Sequence, residues 1–110
     1  MTDFLQVTTT TAEREAAERI AAALVVRRLA ACVQVLGPIA STYRWKGGVE
    51  NAVEWLCLIK TEKRLLPRLE EALEEIHPYQ TPETLATAVE GGSGDYLAWL
   101  RDALRESAAD

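Results

Sequence analysis

His77 and Glu83 bracket the run His77-Pro78-Tyr79-Gln80-Thr81-Pro82-Glu83, where one helical pattern ends and the next apolar stretch begins. The two prolines hold the residues between imidazole and carboxylate extended, so the segment is shaped rather than free. Upstream, Tyr43-Arg44-Trp45-Lys46-Gly47 offers aromatic side chains, and Lys60 an ammonium. Aromatic walls, one lysine, one carboxylate and one imidazole are what a compact anionic or metal-chelated ligand requires. A purely structural reading is equally open: Tyr79 and Trp45 as packing groups at an interface, and Lys60 with Glu83 as an ion pair.

His77 is the only histidine. At a helix end it can cap unpaired carbonyls at the negative end of the dipole, or it can serve as a soft-metal ligand. No Cys-x-x-Cys or His-x-x-x-His spacing accompanies it, so one chain supplies no four-ligand shell. A cleft between subunits could combine His77 and Glu83 with groups of a neighbour, and copper suits imidazole and thiolate donors.

The two cysteines, Cys32 and Cys57, are too few for a disulfide framework. With Gly47-Gly48 as the turn of a hairpin, Cys57 falls opposite Pro38. That places it six residues, or roughly 20 Å, from Cys32, too far for a bridge. Free thiols in a reducing cytoplasm are expected. No Gly-x-Ser-x-Gly, phosphate loop or catalytic carboxylate pair occurs, and Gly91-Gly92-Ser93-Gly94 needs no phosphate to explain it. These patterns point away from an enzyme.

Periodicity supplies the elements that must hold these groups. Phe4–Thr8 reads as a strand, and Thr10 with Glu13 as a capping box opening a helix with Ala16, Ile20, Ala23 and Leu24 on one face, ending near Arg28. Ala31–Leu36 and Ile39–Trp45 form a second strand, broken by a bend at Gly37-Pro38. Val49–Thr61 returns antiparallel with Val53, Trp55, Cys57 and Ile59 on one face. Leu65, Leu69, Ala72, Leu73 and Ile76 make a helical stripe with Pro67 near its first turn. Thr84–Val89 is the last strand, and Ser93 caps a helix burying Tyr96, Leu97, Leu100 and Leu104. The order β-α-β-β-α-β plus a terminal helix is an α+β, ferredoxin-like split-βαβ sandwich with helices on one face. That fold by itself argues for no function.

At 110 residues and 48% hydrophobic content, positions 1–110 make one domain with a real core. A net charge of −5 and the absence of a basic stripe along the sequence argue against nucleic-acid binding. Neither an apolar run of membrane-spanning length nor a leader-like start occurs, so a cytoplasmic protein without membrane contact is expected.

Element lengths bear on assembly. Hairpin arms of about 13 to 15 residues reach roughly 45 Å, whereas a helix of about 18 residues covers only about 27 Å. The hairpin tip must overhang, and it carries Ile39, Tyr43, Trp45, Val49 and Val53, too much apolar surface to leave in water. A second subunit covering the tip is one solution, a hairpin bent back over its own sheet at Gly37-Pro38 the other.

Together with Ala30-Ala31-Cys32-Val33, Ile59-Lys60-Thr61 and Tyr96-Leu97-Ala98-Trp99-Leu100, the runs Tyr43–Gly47 and His77–Glu83 make the chain resemble the CutA family of divalent-cation tolerance proteins over nearly its whole length. The resemblance implies a homotrimer whose long hairpins pair across subunits. It also implies binding of Cu(II) or another divalent cation, no organic cofactor, and Cys32, Tyr43, Trp45, Lys60, His77, Tyr79, Glu83 and Trp99 on recurring positions. Cys32, His77 and Glu83 are the metal candidates; Trp45, Lys60, Tyr79 and Trp99 are the cleft candidates. Two other classes stay in view, a PII-like trimeric regulatory module reading a small ligand in its intersubunit clefts and a trimeric scaffold. The chain departs from the family pattern at Gln34, where Asn is usual, at Gly48, where Lys is usual, and at Thr87-Ala88, where Leu-Pro is typical.

Overall fold

The computed structural model describes residues 2–105. Strand β1 (Phe4–Thr11) leads into helix α1 (Arg14–Val26), followed by β2 (Cys32–Trp45) and β3 (Gly48–Glu62) as one long hairpin. A 3-10 turn over Lys63–Leu65 opens α2 (Leu66–Ile76), and β4 (Leu85–Ala88) and α3 (Gly94–Leu104) complete the order. The sheet is antiparallel throughout, in the order β2-β3-β1-β4. This is the ferredoxin-like α+β arrangement expected from the sequence.

Strand alternation decides which face is covered. Val7, Cys57 and Ile59 are fully buried on one face, where the Cys57 thiol lies 3.8 Å from the Ala17 carbonyl of α1. Against them pack Ile20 and Leu24 of α1, with Leu69 and Leu73 of α2 joining the same core. Each such leucine contributes about 1.5–3 kcal/mol by leaving water.

Lys60, three residues from Cys57, points to the opposite face. There it meets Tyr96 of α3, and Arg101 lies over the Phe4 ring. The expectation of helices on one face is therefore corrected: α3 crosses one end of the other face. Tyr96 is accordingly 41% exposed rather than part of the buried stripe, which Leu100 and Leu104 provide. The rest of that face, including Gln34, Leu36, Leu56 and Leu58, has only partial cover or none.

Three local expectations also change. Thr10 opens no helix; it pairs with Leu56 in β1, and α1 starts at Arg14 after Glu13, which makes no side-chain cap. A full cross-strand ladder outweighs one capping bond. The hairpin turns on Lys46 and Gly47, whose positive φ values of 48° and 80° give the twist that matches paired strands. Gly48 is therefore already paired, with Trp45, and Cys57 lies opposite Val35, not Pro38. Cys32 sits three positions from Val35 on the opposite face, and both cysteines are free. Between Leu36 and Ile39 the register shifts, as Gly37-Pro38 led us to expect. A Cβ on Gly37 would come within 2.4 Å of the Trp55 ring, which explains the glycine there.

The hairpin does not fold back. It extends along a molecule 49 Å in its longest dimension, leaving Trp45, Val49 and Val53 50%, 62% and 64% exposed.

Candidate functional site

A cleft of about 740 Å³ opens where the 77–83 loop meets the distal half of the hairpin, lined among others by Tyr43, Trp45, Glu54, Tyr79, Thr81 and Glu83. Its architecture starts with the shortness of β4, which ends its pairing with β1 at Thr8. Beyond that point His77 takes over at the strand edge. Its Nε2 lies 2.9 Å from the Thr10 carbonyl, and its Nδ1 accepts the Tyr79 backbone N–H at 3.0 Å. Because Nδ1 is an acceptor, the proton sits on Nε2 and donates to Thr10. Burial drives the His77 pKa below its ordinary value, against the opposing pull of the Thr10 carbonyl and the nearby Glu54. The ring is a neutral brace between β1 and the loop.

The brace aims Tyr79. Its hydroxyl donates to Glu54 Oε2 at 2.6 Å, and Glu54 also bonds Ser41 and Thr10. Burial pushes the Glu54 carboxyl up, but these bonds and the neighbouring His77 together bring it below its usual range. Burial and the adjacent carboxylate push the Tyr79 phenol upward. Glu83, on the rim, accepts from Thr8 at 2.6 Å. Tyr79→Phe removes the bond to an ionised, buried partner and should cost about 1.5–3 kcal/mol. Denaturant melts of the variant beside Tyr43→Phe, whose ring has no such bond in the structure, would test this.

The sequence candidates separate into two groups. Tyr43, Trp45, Tyr79 and Glu83 meet in the cleft. Lys60, Trp99 and Cys32 lie elsewhere: Lys60 sits 5.6 Å from the Tyr96 ring centroid, Tyr96 stacks on Trp99 at 5.7 Å, and Cys32 pairs with Lys60 across the hairpin. Lys60 is six residues from Glu54 on the same face of β3, about 20 Å away. Lys60 faces Tyr96 and Glu83 binds Thr8, so the two do not pair with each other. Ile39 is half-buried, while the other tip residues are exposed.

Glu54 went unrecognised in the sequence. A carboxylate at an otherwise regular strand position reads as a solvated face, and only its 8% exposure marks it out. Among the described residues no three His, Cys, Asp or Glu side chains converge on a point that could hold a metal. Both ring nitrogens of His77 are engaged in hydrogen bonds, to Thr10 and to Tyr79.

The fold and cleft define a small α+β protein of ferredoxin-like topology, its hairpin and part of one sheet face uncovered and a cleft open at the 77–83 loop. The chain belongs to the CutA1 divalent ion tolerance protein family, whose sequence profile matches residues 5–103. It is 43% identical over 93 residues to the divalent-cation tolerance protein CutA of Thermus thermophilus, covering 84% of this chain and 90% of that protein. To the human protein CutA it is 44% identical over 94 residues, 86% of this chain. The chain spans about half the length of the human and rice relatives it matches, 52% and 55% respectively. Among solved structures, CutA of Xylella fastidiosa superimposes with a TM-score of 0.91 at 36% identity, over 94% of this chain and all of the other. The Thermus thermophilus structure gives 0.89 at 41% identity, over 91% and 97%. The family and the Thermus thermophilus protein are named for divalent-cation tolerance. No helix among the described residues is long and apolar enough to cross a membrane.

Proposed function

We propose that the protein acts in divalent-cation tolerance as a homotrimer, and that its functional site is the Glu54–Tyr79–Glu83 cleft completed by a neighbouring subunit. The observation that carries this reading is the uncovered apolar hairpin continuous with a bare sheet face: one chain leaves exposed what a stable protein covers. A neighbour docked there would bring its own side chains to a cleft whose second group, Cys32, Lys60 and Trp99, lies too far away within one chain. In the assembled cleft the proposed donors to copper or another divalent ion are the Cys32 thiolate and the Glu83 and Glu54 carboxylates. His77 keeps its bracing bonds to Thr10 and Tyr79 and positions the loop. Two free thiols suit the cytoplasm.

The cleft's size and three aromatic walls favour a second reading, a PII-like module that takes up a small organic ligand between subunits. One titration separates the two. Trp45 lines the cleft, so Cu(II) bound there quenches its emission stoichiometrically. Mg(II), which prefers hard oxygen ligands in octahedral array, leaves it unchanged. Saturable quenching that is lost in Cys32→Ser and Glu83→Gln supports the metal site. Unsaturable quenching that is equal in wild type and variants removes it and leaves the small-ligand reading.

A further inference from the structure

Five arginines converge on a hollow remote from the cleft. Arg27 and Arg28 come from the end of α1, Arg64 from the 3-10 turn, Arg68 from the first turn of α2 and Arg105 from the end of α3. They line a cavity of about 420 Å³ in a chain whose net charge is −5. Carboxylates at its border meet three of them: Glu75 lies 3.9 Å from Arg27, Glu62 3.2 Å from Arg64 and Asp102 3.4 Å from Arg105. Arg28 donates to the Ala103 carbonyl at 3.3 Å. The Arg27 and Arg105 pairs are solvent-exposed, held weakly and ready to yield to a stronger anion, whereas the Glu62 partner of Arg64 is itself largely buried.

Helix chemistry accounts for only part of the cluster. Arg27, Arg28 and Arg105 stand at helix C-termini, where cations are favourable. Arg64 and Arg68 stand at the start of α2, whose exposed N–H groups already make that end positive, and no acidic residue occupies its first turn. Among the described residues Arg68 makes no ion pair or side-chain hydrogen bond of its own. Glu62 offsets the charge of Arg64, but Arg68 adds a guanidinium with no carboxylate partner among the described residues to the positive end of the helix, a placement that an anion in the hollow would make favourable. Planar forked donors match phosphate oxygens in pairs.

We propose that this arginine-lined hollow binds the linked phosphate groups of a soluble di- or triphosphate ligand. The cavity is larger than a single orthophosphate requires, and donors from three separate segments surround it, which suits a short chain of phosphates. The sequence shows no basic stripe because these residues lie far apart along it.

Isothermal titration with inorganic tripolyphosphate, and separately with a nucleoside triphosphate, tests the site. Wild type is expected to bind tripolyphosphate saturably, with affinity falling as salt rises. Arg64→Gln with Arg68→Gln should weaken binding at least tenfold, and because neither residue caps a helix C-terminus the fold should persist with an unchanged circular dichroism spectrum. Arg14→Gln with Arg19→Gln, equal in charge and placed on the exposed face of α1, should bind as wild type. Tighter binding of the nucleotide assigns the ligand to that class, and equal binding assigns recognition to the phosphates alone; both support the site. Unsaturable binding, or binding weakened equally by the two double variants, overturns it.

Discussion

Replacing His77 with alanine is expected to destabilise the protein by about 2–4 kcal/mol, because it removes two hydrogen bonds from a buried ring and leaves the Thr10 carbonyl and Tyr79 N–H without their partner. Few other single changes touch both β1 and the 77–83 loop. Loss of loop position should also free Tyr79 from Glu54, so the effect reaches the cleft. Urea unfolding of wild type and variant measures it, and a difference below about 0.5 kcal/mol, the level of ordinary surface changes, would show that the ring braces nothing.

The same residue gives the protein a pH dependence of definite sign. Its folded pKa lies below the ordinary 6.5, so between the two values the unfolded chain binds more protons and stability rises with pH. The stabilisation is complete above about pH 6.5 and is lost as the pH falls below it toward the depressed folded value. Glu54, also depressed, contributes in a separate, more acidic window below its ordinary 4.5. Since the chain has one histidine, a stability slope between pH 7 and pH 5 that vanishes in His77→Gln belongs to this ring. A slope that survives in the variant would assign it elsewhere.

Trp45→Asp is expected to dissociate the proposed trimer. It places a charge at the exposed hairpin tip that the trimer would desolvate, and central aromatic contacts of interfaces are worth about 2–4 kcal/mol, or about 30-fold and more in dissociation constant. Light scattering on wild type should give about three times 12.2 kDa, falling on dilution of the variant to concentrations at which wild type holds together. A wild type that is monomeric at micromolar concentration, or a variant that stays fully assembled, would place the interface elsewhere or nowhere.

Much of the architecture could be read from residue order. The Leu65-Leu69-Leu73 stripe, the alternation through Cys57 and Ile59, the bend at Gly37-Pro38 and the Ser93 cap, which accepts from Tyr96 N at 3.3 Å, are all local patterns with local causes. What escaped depended on partners distant in sequence. Thr10 and Glu13 spell a helix start, but Leu56 claims Thr10 for the sheet. Two adjacent glycines left the turn uncertain by one residue, which moves the partner of Cys57 by two positions, and the register shift at Gly37-Pro38 moves it one more, from Pro38 to Val35. A terminal helix has the same periodicity whichever side of the sheet it covers, so nothing in Tyr96–Leu104 announced that α3 crosses to the far face. The cleft was half legible: Tyr79 and Glu83 stand out by their proline-bound loop, whereas Glu54 gains its meaning only from Tyr79, twenty-five positions away.

Cys57 gives the fold its own clock. The residue is fully enclosed between the sheet and α1, and burial pushes its thiol up to about 11, so a reagent at neutral pH finds neither access nor thiolate while the sheet stays closed. Its alkylation rate therefore counts openings of the central strand itself, on the scale that amide exchange uses for a core. Cys32, partly exposed on the other face of the single chain, needs no opening of the core and reports whether that face is covered. A single chain thus carries both hands needed to tell breathing of the core from uncovering of the surface.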